Sequence, residues 1–262
     1  MRVHVVSDVH GNAEALARAG DGADALVVLG DLIDFVDYHD HGSGILGTVF
    51  GAAKVAEFAR LRRERPAELP AFARALWDSV GDATQVIEDA VRDQYTRLFA
   101  AMTTPTYATP GNVDLPDLWP EFAGEQVRML DGEVAEIGGL RFGFVGGALL
   151  PPGVTKRRGP GVFRPYLRTE EDFAAGVARL EDVDVVCTHI PPDVPELTYD
   201  VVARRPEFGS PSLLDLIMKQ RPRWAVFGHV HQPLAPRMRV AHTECANVGH
   251  FQRTERPYVL RW

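Results

Sequence analysis

Val3-His4-Val5-Val6-Ser7-Asp8-Val9-His10-Gly11-Asn12 joins three kinds of local structure in ten residues. Val3, Val5 and Val6 form a short apolar alternation that reads as a buried strand. The polar segment after it is a turn, and Asn12 is an N-cap for a helical pattern over residues 12–19. A strand that feeds a helix through a polar turn is the repeating unit of a layered α/β fold.

The rest of the chain repeats that unit. Short apolar runs at residues 25–29, 140–145, 183–187 and 225–227 read as buried strands, spaced too widely for an all-β sandwich. Helical patterns at 170–180 and 212–219 lie between them. The interval 35–102 carries helix formers at 52–63, 71–80 and 84–99 with little strand signal, and reads as a helical insertion in a single domain. It would serve equally as a lid over apolar surface or as a substrate-facing cap. Residues 133–147 read as a β-hairpin turning at Gly138 and Gly139. Residues 151–165 form a basic Gly/Pro-rich loop whose Lys156, Arg157 and Arg158 are expected to be a solvated face rather than a substrate contact.

Composition bounds the function. With 262 residues, 45% hydrophobic and 24% charged, the chain can build a sizeable core, which excludes disorder and fibrous folds. The net charge of −8 repels phosphate backbones and anionic lipid, so binding to a nucleic-acid duplex is not expected. An anionic substrate would need a local source of positive charge. Cys187 and Cys245 are too few for a disulfide framework and read as core residues of a reducing compartment. No apolar window is long enough to span a bilayer and no leader-like segment precedes the first strand, so a cytoplasmic protein is expected. Oligomeric state is not legible.

The chemistry collects where strands end. Residues 3–6 lead into Asp8 and His10, and residues 25–29 into Gly30, Asp31 and Asp34. A strand at 107–109 leads into Gly111, Asn112 and Asp114, residues 183–187 into His189, and residues 225–227 into His229 and His231. Singly, each is ordinary turn chemistry. His229 and His231 are the strongest pair, because residues two apart on an extended segment face the same way and the run before them is apolar. Imidazoles, carboxylates and an amide oxygen suit borderline divalent metals, and the two oxygens of Asp31 allow it to hold two cations. Two ions about 3.5–4 Å apart would clamp a phosphoryl group and activate a water at neutral pH. They would also make the pocket of an acidic chain positive.

In this order and context, the five blocks resemble the calcineurin-like metallophosphoesterases, whose pattern is D-x-H, G-D-x-x-D, G-N-H-[ED], an isolated histidine and G-H-x-H. The resemblance spans residues 3–231. It implies a two-sheet β-sandwich with flanking helices and partly mixed sheets. It also implies a dinuclear centre of Mn, Fe or Zn and hydrolysis of a small phosphorylated substrate, a phosphodiester more than a monoester, by hydroxide bridging two metal ions. Carried over by position, the first metal takes Asp8, His10, Asp31 and His231, and the second takes Asp31, Asn112, His189 and His229. Asp34 and Asp114 fall at outer positions that orient ligands or loops.

Two departures stand out. Val113 replaces the usual third-motif histidine, so protonation of the leaving oxygen falls to another group, and alkyl leaving groups should suffer more than aryl ones. His39 and His41, just past the second block, are candidate donors, although an exposed polar loop is the simpler expectation. Asn247-Val248-Gly249-His250 stands where the family often has Asn-Pro-Gly-Ser, which makes His250 a candidate substrate contact. A catalytically silent metal-binding scaffold of the same fold is the competing expectation. A redox enzyme with a 2-His-1-carboxylate face would need fewer ligands than are present.

Overall fold

The computed structural model describes residues 1–154 and 162–262. In chain order the main elements are β1 (Arg2–Val6), α1 (Ala13–Ala19), β2 (Ala25–Val28), α2 (Gly44–Phe50), α3 (Ala52–Glu64), α4 (Leu69–Asp78), α5 (Ala83–Ala101), β3 (Thr106–Ala108) and β4 (Val127–Met129). Then follow β5 (Glu133–Ile137), β6 (Leu140–Val145), α6 (Glu170–Val177), β7 (Val185–Thr188), α7 (Pro211–Gln220), β8 (Trp224–Phe227), β9 (Arg237–Val240), β10 (Thr243–Asn247) and β11 (Tyr258–Arg261).

Two mixed sheets result. One runs β11-β1-β2-β3-β4, parallel except for the antiparallel edge strand β11. The other runs β9-β10-β8-β7-β6-β5, with a parallel centre and antiparallel edges. The hairpin turns at Gly138 and Gly139, both at positive φ, with Ile137 opposite Leu140.

Strand alternation builds the layers. Val3, Val5, Val27 and Leu29 point between the sheets and meet Phe142, Phe144, Val185, Cys187 and Val226. Val6, Leu26 and Val28 point outward against Leu16 of α1 and Ile87, Val91, Tyr95 and Leu98 of α5. On the far side Val145, Val186, Ala225 and Phe227 meet Phe173 of α6 and Leu213 and Ile217 of α7. Strands covered on both faces read as continuous apolar runs, which is why these were legible.

The helices of the 35–102 interval are not equivalent. Helix α5 is N-capped by Asp82 and packs into the core. Helices α3 and α4 bury little: Val55 and Leu61 in one, Leu76 in the other. Among the described residues no helix is long and apolar enough to cross a membrane. Lys156, Arg157 and Arg158 lie outside the described residues.

Candidate metal centre

All five ligand-bearing blocks meet at the carboxyl ends of β1, β2, β3, β7 and β8. There the backbone bends sharply: Asp8, His10, Asp31 and His229 all adopt left-handed φ values, of 58°, 41°, 50° and 67°. Non-glycine residues rarely hold that conformation, and it persists only where surrounding structure enforces it. Here the backbone N–H groups of Asp8, His10 and Gly11 donate to the carbonyls of Gly30, Asp31 and Leu32, lacing the first two loops together.

The seven side chains form one connected cluster. His231 Nε2 lies 3.4 Å from Asp8 Oδ1 and 3.3 Å from His10 Nε2, and His10 Nε2 lies 4.0 Å from Asp31 Oδ2. On the other side of Asp31, its Oδ1 is 3.4 Å from His189 Nε2, which is 3.0 Å from Asn112 Oδ1. The His189 and His229 rings stand 5.1 Å apart. Asp31 therefore touches both halves. Asp8 and Asp31 are buried, at 0% and 3% exposure, and their contacts among the described residues are imidazoles and backbone N–H groups.

Titration of the cluster follows its crowding. Burial opposes ionisation of Asp8, yet the hydrogen bond and charge of His231, with the charges of His189 and His10, hold its carboxyl well below the usual range. Burial likewise opposes a charged His189, but the charge and hydrogen bond of Asp31 raise it to about 9. His229 is pushed down to about 4 by burial and by the charge of His189.

Supporting contacts fix the ring orientations. The carbonyl of Leu29 accepts from His189 Nδ1 at 2.7 Å, and the carbonyl of Ile33 lies 3.3 Å from His10 Nδ1. A carbonyl only accepts, so in the neutral rings the hydrogen sits on Nδ1 and the Nε2 lone pair faces the cluster, as a metal ligand requires. Asp114 accepts from the N–H groups of Leu32 and Gly111 and clamps the second and third loops together. Tyr95 of α5 donates to Asp114 and accepts from Leu115 N–H, and Gln94 brackets the backbone of Asp34 on both sides. The long helix thus braces the centre from behind.

The remaining candidates separate cleanly. His250 is buried, its ring stacked 4.0 Å from that of His231, with Nε2 beside Gln252 Oε1 and Nδ1 without a partner. Among the described residues two sets of ligand atoms lie within 4.8 Å of one another, His10 with His231 and His250 and Asp8 with Asp31 and His189; His41 belongs to neither, and His39 is exposed with its Nε2 3.4 Å from an Arg253 nitrogen. Val113 packs toward the helical side of the first sheet, and its N–H donates to Asp31. Gln252, which donates to the His10 carbonyl, and Tyr95 and Gln94 gave no sequence signal.

Asp34 makes a separate prediction. Burial, then the charges of Asp37 and Asp40, raise its carboxyl to about 7. Below the unfolded value of about 4 both states are protonated and there is no cost. As pH rises toward 7 the unfolded chain ionises first, so stability falls. In metal-stripped protein, Asp34→Asn is expected to gain about 2 kcal/mol at pH 8 and nothing at pH 4. Urea unfolding at both pH values checks it, and an equal effect at each would be inconsistent with this account.

Imidazoles, carboxylates and an amide oxygen gathered at the carboxyl edge of a double-sheet α/β scaffold make a candidate centre for divalent metal. The profile of the calcineurin-like phosphoesterases matches residues 1–233, and the chain belongs to that family of metal-dependent phosphoester hydrolases. Among solved structures, the protein TT1561 of Thermus thermophilus aligns with a TM-score of 0.55 and 14% identity over 98% of this chain and 97% of its own. Another aligns with a TM-score of 0.57 and 18% identity over 96% and 91%. At such identities these likenesses speak for the fold. No curated protein matches the chain.

Proposed function

We propose that this chain hydrolyses small phosphodiesters in preference to monoesters, with two divalent ions of Mn, Fe or Zn in the cluster. Asp8, His10, Asp31 and His231 would hold the first ion, and Asp31, Asn112, His189 and His229 the second. The observation that carries this reading is the continuity of the cluster through Asp31: every inferred ligand position keeps a competent donor within one connected set.

The donor set fits the ions. Two buried carboxylates lie among imidazoles, and the carbonyls of Leu29 and Ile33 already aim Nε2 atoms at them, where a cation would take the place of the proton that Asp31 holds on His189. When bound, the ions supply Lewis acidity and an activated water for in-line attack on phosphorus. Around them Asn112 would place its amide at the phosphate as well as at the second ion. His250, buried against His231 with a free Nδ1, would contact a phosphate oxygen. Val113 offers no proton to the departing oxygen, so aryl esters should turn over faster than alkyl ones.

Bis-p-nitrophenyl phosphate with added manganese tests the reading. Wild type is expected to exceed the metal blank clearly, and His229→Ala to lose about 10²-fold or more. A wild-type rate no greater than the blank would favour the scaffold instead.

A further inference from the structure

Asp131 belongs to none of the ligand-bearing blocks, yet it stands where the chain passes from one sheet to the other. The Leu130 N–H before it donates to the carbonyl of Ala108 at the end of β3, and the Gly132 N–H after it donates to the carbonyl of Phe144 in β6. Its carboxylate collects donors from two other segments. Oδ1 accepts from the Gly146 N–H and from Arg168 Nη1, both at 3.0 Å, and Oδ2 accepts from the Tyr166 hydroxyl at 2.6 Å. A carboxylate paired with a guanidinium makes the stronger kind of hydrogen bond, so one side chain ties both segments to the junction of the sheets.

The two segments are also joined to each other. Ala148 and Leu149 pair with Leu167 and Arg168 in a short parallel ribbon. Arg168 is held from behind, where Nη2 donates to the Asp172 carbonyl at 2.7 Å and the guanidinium lies over the Phe173 ring of α6. The ribbon is thus anchored to α6 at one end and to Asp131 at the other.

From the Asp131 end it reaches the third ligand block. The Gly147 N–H donates to the Pro110 carbonyl and the Tyr166 N–H to the Asn112 carbonyl, each at 2.7 Å. A Cβ on Gly146 would lie 2.6 Å from the Pro110 carbonyl oxygen, so the loops are in contact. On the opposite side, Asp114 accepts from the Gly111 N–H and Asp31 from the Val113 N–H. Residues 110–113 are gripped from two sides. The outer grip on Asn112 is the N–H of a residue whose own side chain ends on Asp131. An asparagine side chain has only two torsions, so the place of the Asn112 amide oxygen, 3.0 Å from His189 Nε2, follows from its backbone.

We propose that Asp131 is a positioning residue for the second ion: through Tyr166 it sets the backbone of Asn112, and with it the amide that faces His189. The inference rests on the ligand assignment proposed above. It extends the centre to a carboxylate that acts only through its neighbours, in the way that outer partners orient metal ligands elsewhere.

Zinc binding to the full chain, stripped and then titrated, is followed by calorimetry, with an unfolding curve for each variant. Asp131→Asn keeps the shape but turns an NH2 toward one of the donors. It should lower second-ion affinity about tenfold or more and change the first less than about threefold. Tyr166→Phe removes only the hydroxyl and should lower second-ion affinity severalfold. Asp184→Asn is the control for stability, since Asp184 Oδ2 accepts from the Arg141 N–H at the opposite end of β6, and it should bind both ions as wild type does. A structural role alone would leave one further readout untouched: the side-chain amide resonances of Asn112 in the zinc-loaded chain should shift in Asp131→Asn and Tyr166→Phe and stay in place in Asp184→Asn. Unmoved resonances in both variants, unchanged second-ion affinity in both, or equal losses at the two ions overturn the proposal and leave the hydrolase reading standing. If wild type binds two ions and cleaves no ester while the variants behave as described, the hydrolase reading fails and the positioning role holds. A wild type that binds a single ion overturns both before any variant is compared.

Discussion

Asp31→Asn is expected to reduce turnover of bis-p-nitrophenyl phosphate by about 10³-fold and to bring bound metal from two ions per chain toward one or none. The geometry sets the direction. Asp31 Oδ1 accepts from the Val113 N–H at 2.9 Å and faces His189, while Oδ2 faces His10 at 4.0 Å. The carboxamide oxygen of an asparagine must stay where Val113 donates, which turns its NH2 toward His10. The first-ion side then receives a donor where it needs an acceptor, and the pair loses the one negative charge that both halves share.

Asp8→Asn is the informative comparison. Asp8 makes its hydrogen-bonding contacts with His231 and the His229 backbone while its carboxylate lies within 4.8 Å of Asp31 and His189 ligand atoms, so its loss should weaken the first ion more than the second. Elemental analysis of protein purified without chelator, with rates and unfolding curves, separates these outcomes. If Asp31→Asn kept two ions and a rate within tenfold of wild type, Asp31 would not bridge, and the dinuclear proposal would have lost its centre.

Why so much of this site was legible follows from burial. Strands β2, β7 and β8 are covered on both faces, so each appears in the sequence as an uninterrupted apolar run, and the first polar residue after the run marks the carboxyl edge. Ligands placed there stand out against an apolar background. The same physics hid the edge of the second sheet: β9 is Arg-Met-Arg-Val with two exposed arginines, and β10 carries Glu244 half-buried, so neither shows an apolar run. Strand β4, three residues with an exposed Arg128, is equally quiet.

Parts of the site that depend on tertiary approach were not legible either. The left-handed turns at Asp8, His10, Asp31 and His229 have no residue signature, since aspartate and histidine are common in any loop. The bracing by Gln94 and Tyr95 comes from a distant helix, with Gln94 placed 60 residues beyond the Asp34 it holds. His250, a candidate substrate contact in the sequence, carries no sign there of its burial against His231, which arises because the chain after β10 folds back over β1, where Phe251 N–H bonds the Ser7 carbonyl.

Gly30→Ala tests whether close backbone approach positions these ligands. Gly30 has φ +82°, and a Cβ there would overlap the backbone N and Cα of Gly111 and lie 2.5 Å from the Pro110 carbonyl carbon. The obstacle is main chain, held by the Asp114 clamp and by the bond from Thr109 N–H to the Val28 carbonyl, so no side chain can swing away. Gly139→Ala supplies the control: it sits at φ +79° with nothing within 4 Å, so it carries the conformational strain of about 1 kcal/mol without the collision. Gly30→Ala should cost about 3 kcal/mol or more by urea unfolding, well beyond the control. Relief of the overlap must move Gly111 away from Gly30, and Gly111 and Gly30 are directly joined to Asn112 and Asp31. Metal affinity should therefore fall in Gly30→Ala and hold in Gly139→Ala. A Gly30→Ala protein no less stable than the control would show that the two loops yield easily. One that is destabilised yet binds metal normally would show that their close approach serves the fold and not the centre.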